Sequence, residues 1–200
     1  MVLGLSRGGV PVAFEVATAL RLPLDVIVVR KVGVPDDPEL AMGAVGEDSA
    51  TIVNAGVATT RRVSDAELAS AQETTRAEVE RRTRLLRGGQ PRVSVRGRTA
   101  IVVDDGTATG ATARAACQVA RKLGAARVVV AVPVGAPDAV AALGTIADEV
   151  ACLGQPEPFL AVGRYYDDFT PTTDAEVAAL LERAGRRTPG VEVAHGVDVR

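Results

Sequence analysis

The chain opens on an apolar run, Val2 to Leu5, breaks at Ser6-Arg7-Gly8-Gly9, and resumes with Val12, Val16, Ala19 and Leu20 at helical spacing. A short continuous apolar run followed by a 3.6-residue period predicts a strand, a tight loop and a helix over Val10 to Leu20. Leu24 to Val29 follows Pro23 and is rich in β-branched residues, which predicts a second buried strand. The βαβ unit so formed favours a parallel sheet.

The pattern then dissolves. Residues 30 to 49 hold Gly33, Pro35, Pro38, Gly43 and Gly46 among Asp36, Asp37 and Glu39, a composition expected of a mobile loop and lid leading into short strands near Ala44-Val45 and Thr51 to Val53. Order returns at Ser64-Asp65-Ala66-Glu67, whose capping-box spacing predicts the start of a long charged helix reaching about Arg87. Gly88 to Gly97 reads as a linker and Thr99 to Val103 as a strongly apolar strand, with a polar loop before a helix from about Ala111 to Leu123 that stops at Gly124. Strands over Arg127 to Val132 and Glu149 to Leu153, a short helix over Pro137 to Leu143, and a last helix over Asp174 to Ala184 complete the series. The expected organisation is one domain over 1–184 and a tail over 185–200.

With 47% hydrophobic residues and 24% charged, 200 residues suffice to bury one sizeable core. The formal net charge of −2 offers no global positive field for nucleic acid or an anionic membrane, so any phosphate binding must be local. Cys117 and Cys152 lie in apolar surroundings at a spacing that suits neither a disulfide framework nor a metal knuckle. A reducing, cytoplasmic setting is the expectation. The N-terminus lacks the pattern of a signal peptide, and no run approaches membrane-spanning length.

The most informative stretch is IVVDDGTATGAT, Ile101 to Thr112. Ligand sites in open α/β sheets lie beyond the carboxyl ends of strands, where this stretch puts Asp104 and Asp105 ahead of small residues and hydroxyls entering a helix. Gly106, Ala108, Gly110 and Ala111 leave backbone amides approachable by a phosphate; Thr107, Thr109 and Thr112 add donors beside the positive end of a helix dipole. Two adjacent carboxylates suit a sugar diol, whose hydroxyls donate to them, and can stabilise positive charge developing on a nearby ring. The combined specification is a ribose with a 5′-phosphate. A Walker loop would end in Gly-Lys-Ser/Thr, whereas Ala111-Thr112 follows Gly110. The glycine spacing of Gly4, Gly8 and Gly9, and Arg30-Lys31 where an acidic ribose ligand would stand, argue against NAD.

This strand, diacid and Thr-Gly loop resembles the signature of the type I phosphoribosyltransferases. SRGGVPVA, RKVGVPDDPELAMGAVGED and PFLAVGRYYDDF are similar to a less characterised bacterial branch of that family. The resemblance implies an α/β fold with a Rossmann-like central parallel sheet flanked by helices, a small hood and a flexible lid, here Val32 to Asp48. It implies 5-phosphoribosyl 1-pyrophosphate (PRPP) as donor, Asp104 and Asp105 on the ribose hydroxyls, and Ala108, Thr109, Gly110, Ala111 and Thr112 on the 5′-phosphate. Arg7, Gly8 and Gly9 then correspond to the pyrophosphate loop, with a cis peptide expected at Ser6-Arg7 and added charge from Lys31 and Arg30. Mg²⁺ is the implied cofactor, held chiefly by pyrophosphate and ribose oxygens and touching Asp104 and Asp105 through water.

Two departures qualify the resemblance. Ala108 stands where relatives acting on 6-oxopurines carry an aspartate, which argues against hypoxanthine or guanine as acceptor. The chain also starts nearly inside its first strand where the family usually has a preceding helical segment, so that element is expected to be short or missing. Acceptor recognition is expected in the aromatic stretch Phe159 to Phe169, through Tyr165, Tyr166 and Asp167, with Phe159 and Phe169 anchoring the segment to the core. The arginines of the long helix, Arg76, Arg81, Arg82, Arg84 and Arg87, alternate with Glu73, Glu78 and Glu80 and read as a solvated face with paired charges rather than a nucleic-acid surface. His195 is assigned no role.

The sequence thus points to a Mg²⁺-dependent transferase moving a phosphoribosyl group from PRPP to a nucleobase or related nitrogen heterocycle, releasing pyrophosphate, as in nucleotide salvage. The competing reading is a regulator that binds PRPP or nucleotides without turnover. Such regulators usually carry a nucleic-acid-binding surface, which this acidic chain lacks. A module of a longer polypeptide is a third reading, and the assembly state stays open, a homodimer included.

Overall fold

The computed structural model describes residues 1–187. Strand β1 (Val2–Leu5) runs into helix α1 (Gly9–Leu20), which returns the chain to β2 (Leu24–Ile27). After a second, separate sheet, the chain rejoins the first at β6 (Thr99–Val103), followed by α4 (Ala111–Lys122), β7 (Arg127–Val134), α5 (Pro137–Gly144) and β8 (Glu149–Gly154). These five strands pair in parallel in the order β2-β1-β6-β7-β8. The α/β architecture with a central parallel sheet matches the expected fold class.

Period-two alternation sorts side chains to the two faces of this sheet. Leu3, Leu5, Val102, Val128 and Val130 point to the α4 and α5 side, where Ala116, Cys117, Ala120 and Leu143 meet them. Val2, Leu24, Ile101 and Val103 face Ala13, Phe14 and Ala17 of α1 and Ala184 of α6 (Asp174–Arg187). Helix α6 runs past the expected end at Ala184 to Arg187; the rest of the anticipated tail, with His195, lies outside the described residues. Among the described residues no helix is long and apolar enough to cross a membrane.

The segment expected as a loop and lid is folded as a sheet. β3 (Val29–Val34), β4 (Asp37–Gly46) and β5 (Thr51–Val53) pair antiparallel, and short helix α2 (Ala55–Thr60), absent from the sequence pattern, follows. The glycines that suggested mobility mark close packing instead. A Cβ on Gly43 would stand 2.4 Å from the Ile52 carbonyl oxygen, and one on Gly46 2.5 Å from the Val119 side chain of α4. Helix α3 (Asp65–Arg87) has the predicted capping box at Ser64 and Glu67 and buries Val79 and Leu86 against Val32, Met42 and Val45 of this sheet.

The apolar run Leu24 to Val29 therefore splits between two sheets at Val28, and a buried ionic cluster sits at the split. Arg87 Nε is 2.8 Å from Asp25 Oδ1 and its Nη1 is 2.7 Å from Glu47 Oε2. Arg87 Nη2 also donates to the Val26 carbonyl, and Glu47 accepts from the Val28 amide. All three side chains are buried, which corrects the placement of Arg87 on a solvated face. The paired-charge reading holds for Arg76 with Glu73 and Arg84 with Glu80.

Candidate functional site

β1 and β6 are neighbours whose following helices cover opposite faces of the sheet, so the crevice between them opens at the switch point of an open α/β sheet, the usual place for a ligand. The loop after β1 carries Arg7, Gly8 and Gly9; the loop after β6 carries Asp104 and Asp105. The two loops touch. A Cβ on Gly8 would fall 1.9 Å from Asp105 Oδ2, and one on Gly9 would fall 2.5 Å from the Val103 carbonyl and 2.8 Å from Asp104 Cα. Only residues without side chains let these backbones approach so closely. The Ser6-Arg7 peptide is cis, as expected.

The diacid sits in a partly dry environment with no counter-charge. Among the described residues no lysine or arginine forms an ion pair with Asp104 or Asp105. Burial, then the neighbouring Asp105 charge, pushes the Asp104 carboxyl up to about 8; burial likewise raises that of Asp105. The Asp105 amide donates to Asp104 Oδ1 at 3.0 Å, which fixes the first carboxylate against its own backbone. Beyond the diacid, buried Thr107 bridges to Gly135: its amide donates to the Val134 carbonyl and its carbonyl accepts from Ala136. This pins the loop to the end of β7. Gly110 then takes the left-handed conformation at φ 74° and starts α4, with Ala108, Thr109, Ala111 and Thr112 exposed around the helix N-terminus. The Thr109 hydroxyl oxygen accepts from the Ala111 amide at 3.4 Å. No acidic residue stands in the first turn of α4, so its free amides remain favourable to an anion.

The aromatic stretch folds over this loop. A 3₁₀ turn, Val162–Tyr165, lays the Val162 side chain where a Cβ on Gly106 would be, 2.6 Å away. The Tyr166 hydroxyl donates to the Asp105 carbonyl at 2.5 Å, and its ring lies 5.2 Å from that of Phe169; Phe159 stacks on Tyr165 at 5.6 Å. Tyr165 and Tyr166 line an open pocket of about 580 Å³ at the ends of β7 and β8. Asp167 is exposed and does not line it.

The remaining predicted basic residues are arranged differently from expectation. Arg30 and Lys31 lie within β3 of the antiparallel sheet rather than at the end of β2, because the chain leaves the parallel sheet at Val28, and Arg30 Nη2 pairs with Glu78 Oε1 at 3.0 Å. Arg7 lies 3.6 Å from Asp174, which also holds Arg82 at 2.8 Å. The sequence pattern marks Asp174 only as a helix start; Thr173 and Glu176, which form that cap, give no sign of the two arginines. The pocket-lining residues Pro133, Val134 and Leu153 to Pro156 were missed as well, though their positions just at or beyond strand ends were the available signal.

Fold and loops together define a Rossmann-like α/β protein with a crevice at the switch point of its sheet. More narrowly, the model of the phosphoribosyl transferase domain family matches residues 1–155, and the chain belongs to that family. It is 53% identical over 186 residues, 93% of its length, to a Mycobacterium tuberculosis protein whose name assigns it provisionally to the phosphoribosyl transferases. The chain spans only 42% of that relative. It is also similar to the crystal structure of TT1426 from Thermus thermophilus, with 45% identity, a TM-score of 0.82, and coverage of 91% of this chain and 86% of that one.

Proposed function

We propose that the protein transfers the 5-phosphoribosyl group of PRPP to a nitrogen heterocycle and releases pyrophosphate. The observation that carries this reading is the docking of the Arg7 to Gly9 loop on the Asp104-Asp105 diacid, with an uncapped helix N-terminus a few residues away. In this reading the ribose 2′ and 3′ hydroxyls donate to Asp104 and Asp105, and the 5′-phosphate rests on the amides and hydroxyls of residues 108–112. Arg7 and the bare amides of Gly8 and Gly9 receive the pyrophosphate. The bond from the anomeric carbon to the pyrophosphate oxygen breaks with both electrons leaving on pyrophosphate. The acceptor nitrogen supplies the electron pair of the new bond and its proton passes to water, and the diacid stabilises positive charge on the ring between the two events.

Mg²⁺ fits this site in one particular manner. The described residues contain no group of three or more His, Cys, Asp or Glu side chains able to hold a metal, so what they offer here is two carboxylates rather than a cage. Burial raises both acids, and the Asp105 charge raises Asp104 further, a cost that a nearby cation relieves. Asp104 and Asp105 would face an ion held mainly by substrate and water oxygens, which would supply charge neutralisation on pyrophosphate.

The test is pyrophosphate release from PRPP and Mg²⁺ over a panel of heterocycles, beside an Asp104→Asn/Asp105→Asn variant. Release is expected with at least one acceptor, and the variant is expected to lose about a hundredfold or more, the scale of removing a transition-state electrostatic contact. Release that persists in the variant would overturn the assignment.

A further inference from the structure

The pocket beside the diacid has a one-sided chemistry. It is lined by Pro133 and Val134 of β7, by Leu153 to Pro156 after β8, and by Tyr165 and Tyr166. None of these side chains is charged. Its volume of about 580 Å³ lies within the range of small-molecule sites. The polar groups it offers are the Gln155 amide and two phenols, of which the Tyr166 hydroxyl is already committed to the Asp105 carbonyl. Gln155, exposed at the pocket wall, offers a carbonyl acceptor and an amide donor side by side to a ligand edge, which the single hydroxyl of Tyr165 does not. Tyr165, backed by Phe159, supplies a flat face.

The Tyr166 contact also fixes what lies next door, since it joins the pocket wall to the loop that carries two partly buried acids, which have no cationic partner among the described residues. A ligand bearing a carboxylate would surrender hydration on entry, find no arginine or lysine in the lining, and add negative charge near a pair of carboxyls that has no cationic partner among the described residues. A flat ligand without charge gives up less hydration and meets no like charge.

We propose that this pocket takes an uncharged aromatic heterocycle, read along one edge by Gln155, and rejects heterocycles that carry a carboxylate. As a statement about the acceptor it rests on the transfer reading above; as a statement about binding it stands by itself, and the two are measured separately. The chain has two tyrosines and no tryptophan, and both tyrosines line the pocket, so intrinsic tyrosine fluorescence reports on this site alone.

The full chain is titrated with adenine, cytosine and uracil, and with nicotinate and orotate, alone and with ribose 5-phosphate, correcting for probe absorbance. Saturable quenching is expected from at least one uncharged probe, with both acids binding about tenfold more weakly or worse. In Gln155→Arg, checked for an unchanged melting transition, binding of an acid should strengthen about tenfold while the preferred uncharged probe weakens. Acids that bind as tightly as uncharged probes, or quenching by neither set, would overturn the inference. Quenching by an uncharged probe without pyrophosphate release would leave it standing and sink the transfer reading. Release with a carboxylated acceptor would do the reverse.

Discussion

Two acidic pairs, one buried and one partly buried, lie in this molecule, and their surroundings could hardly differ more. Asp25 and Glu47 share the guanidinium of Arg87, and main-chain groups of residues 26, 28 and 93 take up much of what remains of their hydrogen-bonding capacity. Asp104 and Asp105 adjoin each other at a strand end with no cation beside them among the described residues, and burial raises both. The first pair is complete within the chain and joins two sheets. The second is held in an unfavourable state by surrounding structure, which is how sites prepared for a ligand differ from structural ion pairs.

The largest effect should come from breaking the complete pair. Arg87→Leu leaves two acids buried without a partner and is expected to destabilise the fold by about 3–5 kcal/mol in chemical denaturation. A loss below about 1 kcal/mol would mean that the cluster is not the joint described here.

Next comes crowding of the incomplete pair. Gly8→Ala places a methyl group into Asp105 Oδ2, and something must shift. A stability loss of about 1–3 kcal/mol is expected, with a larger proportional loss of pyrophosphate release, because the displaced atoms belong to the diacid itself. Equal proportional losses would weaken the link between the two loops.

The third prediction has the opposite sign. The Asp104 carboxyl is raised from 3.8 to about 8 in the folded chain, so protonation favours the native state. That contribution is complete below the unfolded value near 3.8 and is lost as pH rises through about 8. Asp104→Asn keeps the neutral form at every pH, so it should match the parent near pH 4 and exceed it increasingly towards pH 8. The gain should reach about 1–2 kcal/mol, or roughly 2–8 °C in the melting midpoint, less than the full shift implies because the two acids titrate together. A midpoint difference that does not change with pH would contradict it. The smallest effect belongs to an ion pair in water: Arg30→Ala removes an exposed contact to Glu78 and should change stability by less than about 1 kcal/mol.

The same contrast explains what could be read from the sequence. The place of Asp104 and Asp105 between a strand end and a helix start was legible because the pattern is local: strand, acids, small residues and helix start lie within a dozen positions, and the capping box of Ser64 and Glu67 is as compact. Arg87 was misplaced because its meaning is remote. It meets Asp25 across 62 positions and Glu47 from another sheet, and its own helix surroundings read as charged surface. The antiparallel sheet was hidden for a related reason. Gly43 and Gly46 are small because the Ile52 carbonyl and the Val119 side chain fill the space beside them, but composition alone cannot separate a glycine that lets two backbones meet from one that lets a chain bend.

Asp174, at the first turn of α6, is gripped by Arg82 from one side and reached by Arg7 from the other. A carboxylate placed there ties the closing helix to the loop that follows the opening strand, so the ends of the described fold are mechanically coupled at the crevice. Cutting the chain ahead of Thr173 would therefore cast the Arg7 guanidinium adrift as well as stripping Val177 and Ala184 from the interior.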